Sequence, residues 1–300
     1  MLKIAYSPLY KYQLPEGHRF PMVKYELIAE QLLYEGLVEK HSFFQPDKLK
    51  DQDILLTHTK EYLNKLHKLE LGRKEARAIG FPISKALIDR GKHIANGTLV
   101  CANHAIEDGV SLNVAGGTHH SFDDHGEGFC VFNDIAIAAN VLLHRKVVER
   151  ILIVDLDVHQ GNGTASIFRE HTEVFTFSMH GANNYPIRKT KSDLDVGLPD
   201  GTDDKEYLTA LEKFLPEVIQ KSNPDLIFYL AGVDVLITDK LGKLSMTREG
   251  VKRRDAIVMN HCKSQAIPLV ITMGGGYSPK LVDIVEAHCN TFRLAQEMYF

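Results

Sequence analysis

The sequence predicts an α/β fold in three layers, with a mostly parallel central sheet covered by helices on both faces. Short apolar runs such as Ile151–Val154 show no polar alternation, which is typical of strands buried on both sides. These runs alternate along the chain with longer segments whose apolar residues recur at helical spacing. Such alternation of strands and helices favours a parallel sheet.

Each predicted strand is a short apolar run, and in chain order the strands are Lys3–Tyr6, Ser111–Val114, Ile151–Val154, Val174–Ser178, Leu226–Leu230 and Leu269–Thr272. Each predicted helix has apolar residues at helical spacing, as Leu27, Ile28 and Leu32 show in the first one. Gly36 follows that helix in the position of a C-cap. The predicted helices are Met22–Glu35, Thr59–Leu69, Ile83–Glu107, Val131–Arg145, Thr164–Glu170, Asp204–Gln220, Thr247–Ser264 and a last one that begins at Ser278.

The composition is that of a globular protein with a large core, since 44% of the 300 residues are hydrophobic and 25% are charged. No repeat or linker divides the chain, so we expect a single domain over residues 1–300. The net charge of −4 lacks the basic footprint of a nucleic-acid-binding protein. No apolar run approaches the length of a membrane span.

The N-terminal segment and the cysteines predict a cellular location. Met1–Tyr12 lacks the apolar core of a signal peptide. The four cysteines include no C-x-x-C pair, which favours reduced thiols over disulfides or a cysteine metal site. We therefore expect a cytoplasmic protein, with access to the nucleus if the organism is eukaryotic.

Polar or glycine-rich segments follow five of the predicted strands. In open α/β sheets, functional sites form outside the carboxyl ends of the strands. We therefore expect one site to be assembled from these segments, which are Gly116–His120, Asp155–His159, Ser178–His180, Ala231–Asp234 and Gly274–Tyr277.

The segment after the third strand predicts a metal site. Asp155, Asp157 and His159 point to one side of an extended chain, because side chains alternate with a period of two. Buried carboxylates need compensation, and Asp157 with His159 could bind a cation such as Zn²⁺. Asp234 alone is more typical of a helix N-cap, but beside these residues it becomes a third ligand. Two carboxylates and one imidazole neutralise a divalent cation and leave an open coordination position.

The tandem pair His119-His120 predicts acid–base chemistry. A single histidine beside a strand is usually structural, but a pair after two glycines indicates close approach to a site. One histidine could take a proton from water and return it to a leaving amine. Each would need a partner on its other nitrogen, and Asp155 and Asn162 are available.

The glycine segment before Tyr277 is not a phosphate loop, because no Lys-Ser or Lys-Thr follows it. A tyrosine hydroxyl on such a loop suits a hydrogen-bond donor to an oxyanion. The alternative interpretation of Tyr277 is a core tyrosine.

Together and in this order, these motifs resemble those of the zinc-dependent histone deacetylase family, which has the arginase/deacetylase fold. The resemblance extends over nearly the whole chain. The short length and the Asp157–Gly163 motif are most similar to class IV members and their bacterial relatives. The segments that carry the resemblance are Gly17–Arg19, Gly116–His120, Gly128–Asp134, Asp155–Gly163, Ala231–Asp234 and Gly274–Tyr277.

The resemblance implies a catalytic role for each matching residue. It implies a zinc ion, with Fe²⁺ as the alternative metal, held by the three ligands Asp157, His159 and Asp234. His120 matches the general base and acid, and His119 matches its electrostatic partner, paired with Asp155. Tyr277 matches the tyrosine that stabilises the tetrahedral intermediate.

The resemblance also implies the surroundings of the site. Phe129 and Tyr185 would form opposite walls of the acyl-lysine tunnel, with Gly128 between them, and Arg19 would line the pocket through which acetate leaves. A structural K⁺ ion would bind at Asp155, Asp157, His159, Ser178 and Met179.

Two positions depart from the family pattern. Asn162 stands where many class I members have an aspartate, and an amide can orient His120 but cannot raise its basicity as a carboxylate does. The acidic rim residue that grips the substrate backbone in many members has no clear match, although Glu70 lies in that region.

The leading functional hypothesis is hydrolysis of an N-acylated lysine in a protein or peptide, with an acetyl or longer fatty acyl group. Deacetylation of a small acylated amine such as an acetylpolyamine is the alternative, and a non-catalytic acyl-lysine-binding scaffold is a third. An arginase-like enzyme with two manganese ions is disfavoured, because Gly161 and Leu236 stand where its aspartates would be.

Overall fold

The computed structural model describes all residues from 1 to 300. Its centre is one eight-stranded sheet, in which every pair of neighbouring strands is parallel, so the predicted α/β class is confirmed. The strands are β1 (Lys3–Ala5), β2 (Phe43–Phe44), β3 (Val110–Asn113), β4 (Ile151–Asp155), β5 (Val174–Gly181), β6 (Leu194–Leu198), β7 (Leu226–Leu230) and β8 (Leu269–Thr272). Their order across the sheet is β2-β1-β3-β8-β7-β4-β5-β6.

Ten α-helices form the two outer layers. They are α1 (Lys24–Tyr34), α2 (Asp51–Ile54), α3 (Lys60–Lys68), α4 (Arg73–Ile79), α5 (Lys85–Asp108), α6 (Asp134–His144), α7 (Asn162–Ile167), α8 (Asp204–Ser222), α9 (Arg248–Ser264) and α10 (Leu281–Tyr299). Helix α5 packs on α6 and on β1, β3 and β8, whereas α8, α9, α10 and α1 pack in series as a second group. None of these helices combines the length and the apolar character that crossing a membrane requires.

The sequence prediction misses the shortest and most polar elements. Strand β2 has only two residues, and β6 is an edge strand with exposed Asp195 and Gly197, so neither shows a buried apolar run. Helices α2 and α4 are also absent from the prediction. Helix α6 begins three residues later than expected, because the side chain of Asn133 accepts a hydrogen bond from Ala136 N and caps it.

The strands that carry the polar segments lie side by side in the middle of the sheet, and β3, β8, β7 and β4 are buried along their whole length. Arg254 of α9 is fully buried beneath them. Its guanidinium donates to Gly232 O at 2.6 Å and Leu156 O at 3.3 Å, and it is paired with Asp255. These contacts hold together the chain segments that follow β4 and β7.

Candidate active site

The predicted site segments converge at the carboxyl edge of the sheet. Asp157 and His159 follow β4, and Asp234 follows β7. One ligand atom from each of these three buried side chains lies within 4.8 Å of the others. His159 Nδ1 is 3.1 Å from Asp157 Oδ1 and 3.1 Å from Asp234 Oδ2. This geometry suits a cation between the three side chains.

Backbone amides orient the two carboxylates of this cluster. Gly275 N donates to Asp157 Oδ2 at 2.8 Å, and Val158 N donates to Asp234 Oδ1 at 3.0 Å. Burial and repulsion from Asp157 raise the pKa of Asp234 to about 7. A divalent cation would offset the repulsion between the two carboxylates. Carboxylate oxygens and an imidazole nitrogen are also donor types that zinc binds.

The two adjacent histidines have different partners. His119 Nδ1 lies 2.7 Å from Asp155 Oδ2, and His120 Nδ1 lies 2.7 Å from Asn162 Oδ1. Burial disfavours a charged His119, but Asp155 and Asp157 raise its pKa above the ordinary value. Burial and the nearby His119 and His159 lower the pKa of His120 well below the ordinary value. The two adjacent imidazoles therefore differ in basicity, with the pKa of His119 raised and that of His120 lowered.

Tyr277 lies on the loop after β8 and borders the same space as His120 and His159. Its backbone N–H donates to Asp239 Oδ2 at 2.6 Å, which fixes the loop. Burial and the negative charge of Asp234 raise the pKa of its hydroxyl well above the ordinary value. The hydroxyl therefore keeps its proton and can donate a hydrogen bond.

An outer pocket of about 380 Å³ leads from the surface to these residues. Phe129 and Tyr185 both line it, together with Gly128. Phe129 has a φ of 70° and is held there by its N–H, which donates to Ile79 O at 2.8 Å. The Tyr185 ring stands edge-on to His120 at a centroid distance of 5.0 Å. The structure thus brings the expected tunnel residues to the mouth of the site.

A small inner pocket of about 40 Å³ is lined by Asp157, His159 and the two adjacent histidines. Arg90 lines this inner pocket, whereas the family resemblance implied that Arg19 would line the pocket through which acetate leaves. Arg19 instead lines the outer pocket, with its guanidinium carbon 4.9 Å from the centre of the Phe129 ring. The reason is tertiary, because α5 carries Arg90 to a position where its Nε donates to Tyr10 O at 2.6 Å.

The remaining expected positions are partly brought together. Asp155 of β4 and Ser178 of β5 are register partners, and Met179 follows within β5. The potassium site expected from these residues with Asp157 and His159 stays a prediction. Glu70 is exposed just after α3 and lines neither the inner nor the outer pocket.

Besides Arg90, the sequence did not indicate four further functional candidates. Lys24 is fully buried and donates to Gly274 O at 3.0 Å, and Asp239 fixes the Tyr277 loop. Asp134 accepts from Thr118 N at 2.7 Å and so fixes the histidine segment. Glu127 lines the outer pocket. The local signals were the position of Glu127 between Gly126 and Gly128 and that of Asp134 at the end of the Gly128–Asp134 motif.

Comparison with known proteins gives one family match. The histone deacetylase domain model matches residues 18–292. An uncharacterised protein of Picosynechococcus sp. is 43% identical over 99% of both chains. Histone deacetylase 2 of Arabidopsis thaliana is 29% identical and covers 92% of this chain and 74% of its own length. The acetoin utilization protein AcuC of Staphylococcus xylosus is 26% identical, with 90% and 76% coverage.

The fold is also similar to that of a solved structure, the crystal structure of the HDA15 HD domain. The two superpose with a TM-score of 0.83, over 99% of this chain and 88% of the other, at 21% sequence identity. At this identity the likeness concerns the fold, and it agrees with the parallel sheet described above.

Proposed function

The chain belongs to the histone deacetylase family, and from this premise we propose that it is a zinc-dependent amidohydrolase acting on N-acylated lysine. The observation that carries the proposal is the buried cluster of Asp157, His159 and Asp234, with a histidine and a tyrosine beside it. These three side chains would hold the metal. Bound zinc acts as a Lewis acid that polarises a carbonyl and makes a nearby water molecule more acidic.

His120 would act as general base and then as general acid. Its Nδ1 is engaged by Asn162, so its Nε2 is free to take a proton from the attacking water. The same nitrogen would return the proton to the departing lysine amine. A low pKa keeps His120 neutral before the reaction, which a base requires. His119 beside it, whose pKa is raised, would when protonated stabilise negative charge that develops on the substrate.

Tyr277 would donate its hydroxyl hydrogen to the oxygen of the scissile carbonyl as that oxygen becomes negative. The loop contact from Tyr277 N to Asp239 holds the donor in advance, so little reorganisation is needed during the reaction. Lys24 supports the same loop through the carbonyl of Gly274.

The inner pocket favours a short acyl group. Its volume is only about 40 Å³. An acetyl methyl or an acetate ion fits that space, whereas a long fatty acyl chain does not. We therefore propose acetyl-lysine as the preferred substrate over long-chain acyl-lysine.

The charges of the outer pocket favour a peptide over a polyamine. Its lining includes two cationic side chains, Arg19 and Lys243, and a single carboxylate, Glu127. That carboxylate already accepts hydrogen bonds from Asn162 and Tyr185. A polyamine carries further positive charges that would meet Arg19 and Lys243 without a free carboxylate to offset them.

The first experiment compares amine release from matched peptides that carry acetyl-lysine or a long-chain acyl-lysine, with an acetylpolyamine as a third substrate. Zinc-loaded protein should release amine fastest from the acetyl peptide, and a chelator should stop the reaction. The His120→Ala variant should lose turnover yet bind zinc stoichiometrically. Faster release from the polyamine would overturn the peptide assignment, and zinc binding without any turnover would support a non-catalytic acyl-lysine-binding role.

A further inference from the structure

Glu127 is a pocket carboxylate that the proposed mechanism does not use. It lies in the segment between β3 and α6, and its side chain is 25% exposed. Its Oε2 atom accepts a hydrogen bond from Asn162 Nδ2 at 3.3 Å and another from the Tyr185 hydroxyl. Its Oε1 atom lies 3.5 Å from His125 Nε2. Each of these neighbours presents a donor to Glu127.

Glu127 is therefore separated from His120, the proposed catalytic base, by one side chain. Asn162 bridges the two, with its Oδ1 atom 2.7 Å from His120 Nδ1 and its Nδ2 atom facing Glu127. We propose that Glu127 is a positioning residue that fixes the orientation of the Asn162 amide and, through it, the tautomer of His120.

The hydrogen-bonding capacity of each group fixes the orientation of the Asn162 amide. An ionised carboxylate only accepts hydrogen bonds, so the amide atom that faces Glu127 must be the NH₂ group of Asn162. The contact with His125 Nε2 at 3.5 Å is the main reason that the pKa of Glu127 is lowered, which favours the ionised carboxylate. The amide oxygen of Asn162 then faces His120 and accepts the hydrogen of Nδ1. This leaves the Nε2 lone pair of His120 free to act as a base.

A reversed amide would have the opposite effect. It would place the NH₂ group of Asn162 against His120 Nδ1. Because an NH₂ group donates, Nδ1 would have to accept with its lone pair, and the ring hydrogen would then lie on Nε2. In that tautomer His120 cannot take a proton from water. Without Glu127, the remaining polar neighbour of the Asn162 amide is the Tyr185 hydroxyl, which can donate or accept and so does not distinguish the two orientations.

The need for Glu127 follows from the amide at position 162. A carboxylate there would have two equivalent oxygens, and either one would accept the hydrogen of His120 Nδ1. The proposal therefore predicts that the effect of Glu127 depends on Asn162, which a general structural role would not.

The kinetic test is a double-mutant cycle, and this arm rests on the proposed hydrolysis. Glu127→Gln retains the shape of the side chain but lets its amide face Asn162 in either orientation. It should lower kcat by roughly 10- to 100-fold, the scale of a lost hydrogen bond to a charged group, with little change in KM. In the Asn162→Asp background the same substitution should cause no loss. An equal loss in both backgrounds would overturn the proposal.

Tyr185→Phe is the matched control for the second contact at Oε2. It removes the hydroxyl that donates to Glu127 but retains the aromatic wall of the pocket. Because Asn162 still faces the carboxylate, kcat should fall less than in Glu127→Gln. If Tyr185→Phe reproduced the full loss in kcat, Glu127 would act through Tyr185 and not through Asn162.

A direct test needs no substrate. In zinc-loaded protein labelled with ¹⁵N-histidine, NMR should show His120 with its hydrogen on Nδ1, and the His120→Ala variant identifies the signal. Glu127→Gln and Glu127→Ala should shift the signal towards the Nε2–H tautomer, and Asn162→Asp should restore it. An unchanged tautomer in both Glu127 variants would refute the proposal even if the enzyme is active. If the NMR signals shift as expected but no substrate is turned over, the positioning role of Glu127 is supported and the proposed function is not.

Discussion

At the scale of single residues, the site places two adjacent histidines in opposite electrostatic environments. His119 contacts the carboxylate of Asp155, and His120 contacts the neutral amide of Asn162. Since the rings are only 4.1 Å apart, charging one disfavours charging the other. Divergent pKa values in such a pair separate a neutral base from a charged stabilising group.

Tyr277→Phe tests the hydroxyl donor. The substitution removes one hydrogen-bond donor but none of the metal ligands, so turnover should fall by roughly 10²–10³-fold. Zinc affinity should stay unchanged, as measured by titration against a competing chelator. Undiminished kcat in the variant would remove the oxyanion role of Tyr277, whereas loss of zinc would mean that the substitution disturbs the whole loop.

The buried His58 should make the free energy of unfolding depend on pH. Its buried Nε2 accepts the N–H of Asn133 at 3.1 Å, and burial lowers its pKa from 6.5 to about 4. Between these values the unfolded chain binds a proton that the folded chain excludes. The free energy of unfolding should therefore fall as the pH falls through this window, by up to about 3 kcal/mol from this residue.

Denaturant unfolding at several pH values measures this effect. The variant His58→Gln, which offers an acceptor without a titrating ring, should show a shallower loss of stability between pH 6.5 and 4. The exposed His171→Gln variant is the control and should retain the wild-type slope. Equal slopes for all three proteins would contradict the assignment to His58.

At the scale of elements, the glycine loop after β8 packs tightly against the carboxylates of Asp157 and Asp234. A Cβ atom on Gly275 would overlap Asp234 Oδ2 and lie 2.8 Å from Asp157 Oδ2. The loop can therefore bring its backbone amide to Asp157 only because residue 275 has no side chain. Gly275 thus serves close approach to Asp157 and Asp234.

Gly275→Ala should consequently displace the ligands more than it destabilises the fold. We expect zinc affinity to fall by at least roughly 10-fold, the usual cost of disturbing groups that orient metal ligands. Zinc titration and thermal unfolding of the metal-free protein separate the two effects. The control is Gly197→Ala in β6, where a Cβ meets only Ala182 at an ordinary 3.4 Å. Wild-type zinc affinity in Gly275→Ala would show that the loop adjusts freely.

At the scale of the whole molecule, zinc should stabilise the fold because its ligands come from separate strands. Asp157 and His159 follow β4 and Asp234 follows β7, so the complete site exists only in the folded chain. Free zinc at 100 times its dissociation constant should add about 2.7 kcal/mol to the free energy of unfolding. A chelator should reverse the resulting rise in Tm.

The variant Asp234→Asn provides the matched control. The amide oxygen can still accept from Val158 N, but the variant lacks one of the charges that bind the cation. Its Tm should therefore respond little to zinc. A full zinc-dependent rise in the variant would mean that Asp234 is not a ligand.

Much of the fold could be predicted because its central strands are buried on both faces. Segments such as Leu226–Leu230 are continuous apolar runs, and their burial leaves few alternatives to a parallel sheet. The edge strand β6 and the short helices α2 and α4 carry no such signal, since packing and not composition stabilises them. Helix boundaries shifted where a single side chain, such as Asn133, caps the first turn.

The sequence by itself determined the α/β class and which residues converge in the Asp157, His159 and Asp234 cluster and the histidine pair. These residues follow apolar strands directly, and parallel strands bring their carboxyl ends to one edge. The tertiary structure alone decided which cationic side chains line each pocket and that Glu127 contacts Asn162. Arg90, Lys24 and Glu127 reach the site from a helix or a loop, where contacts depend on packing between segments distant in sequence, and no local pattern encodes that packing.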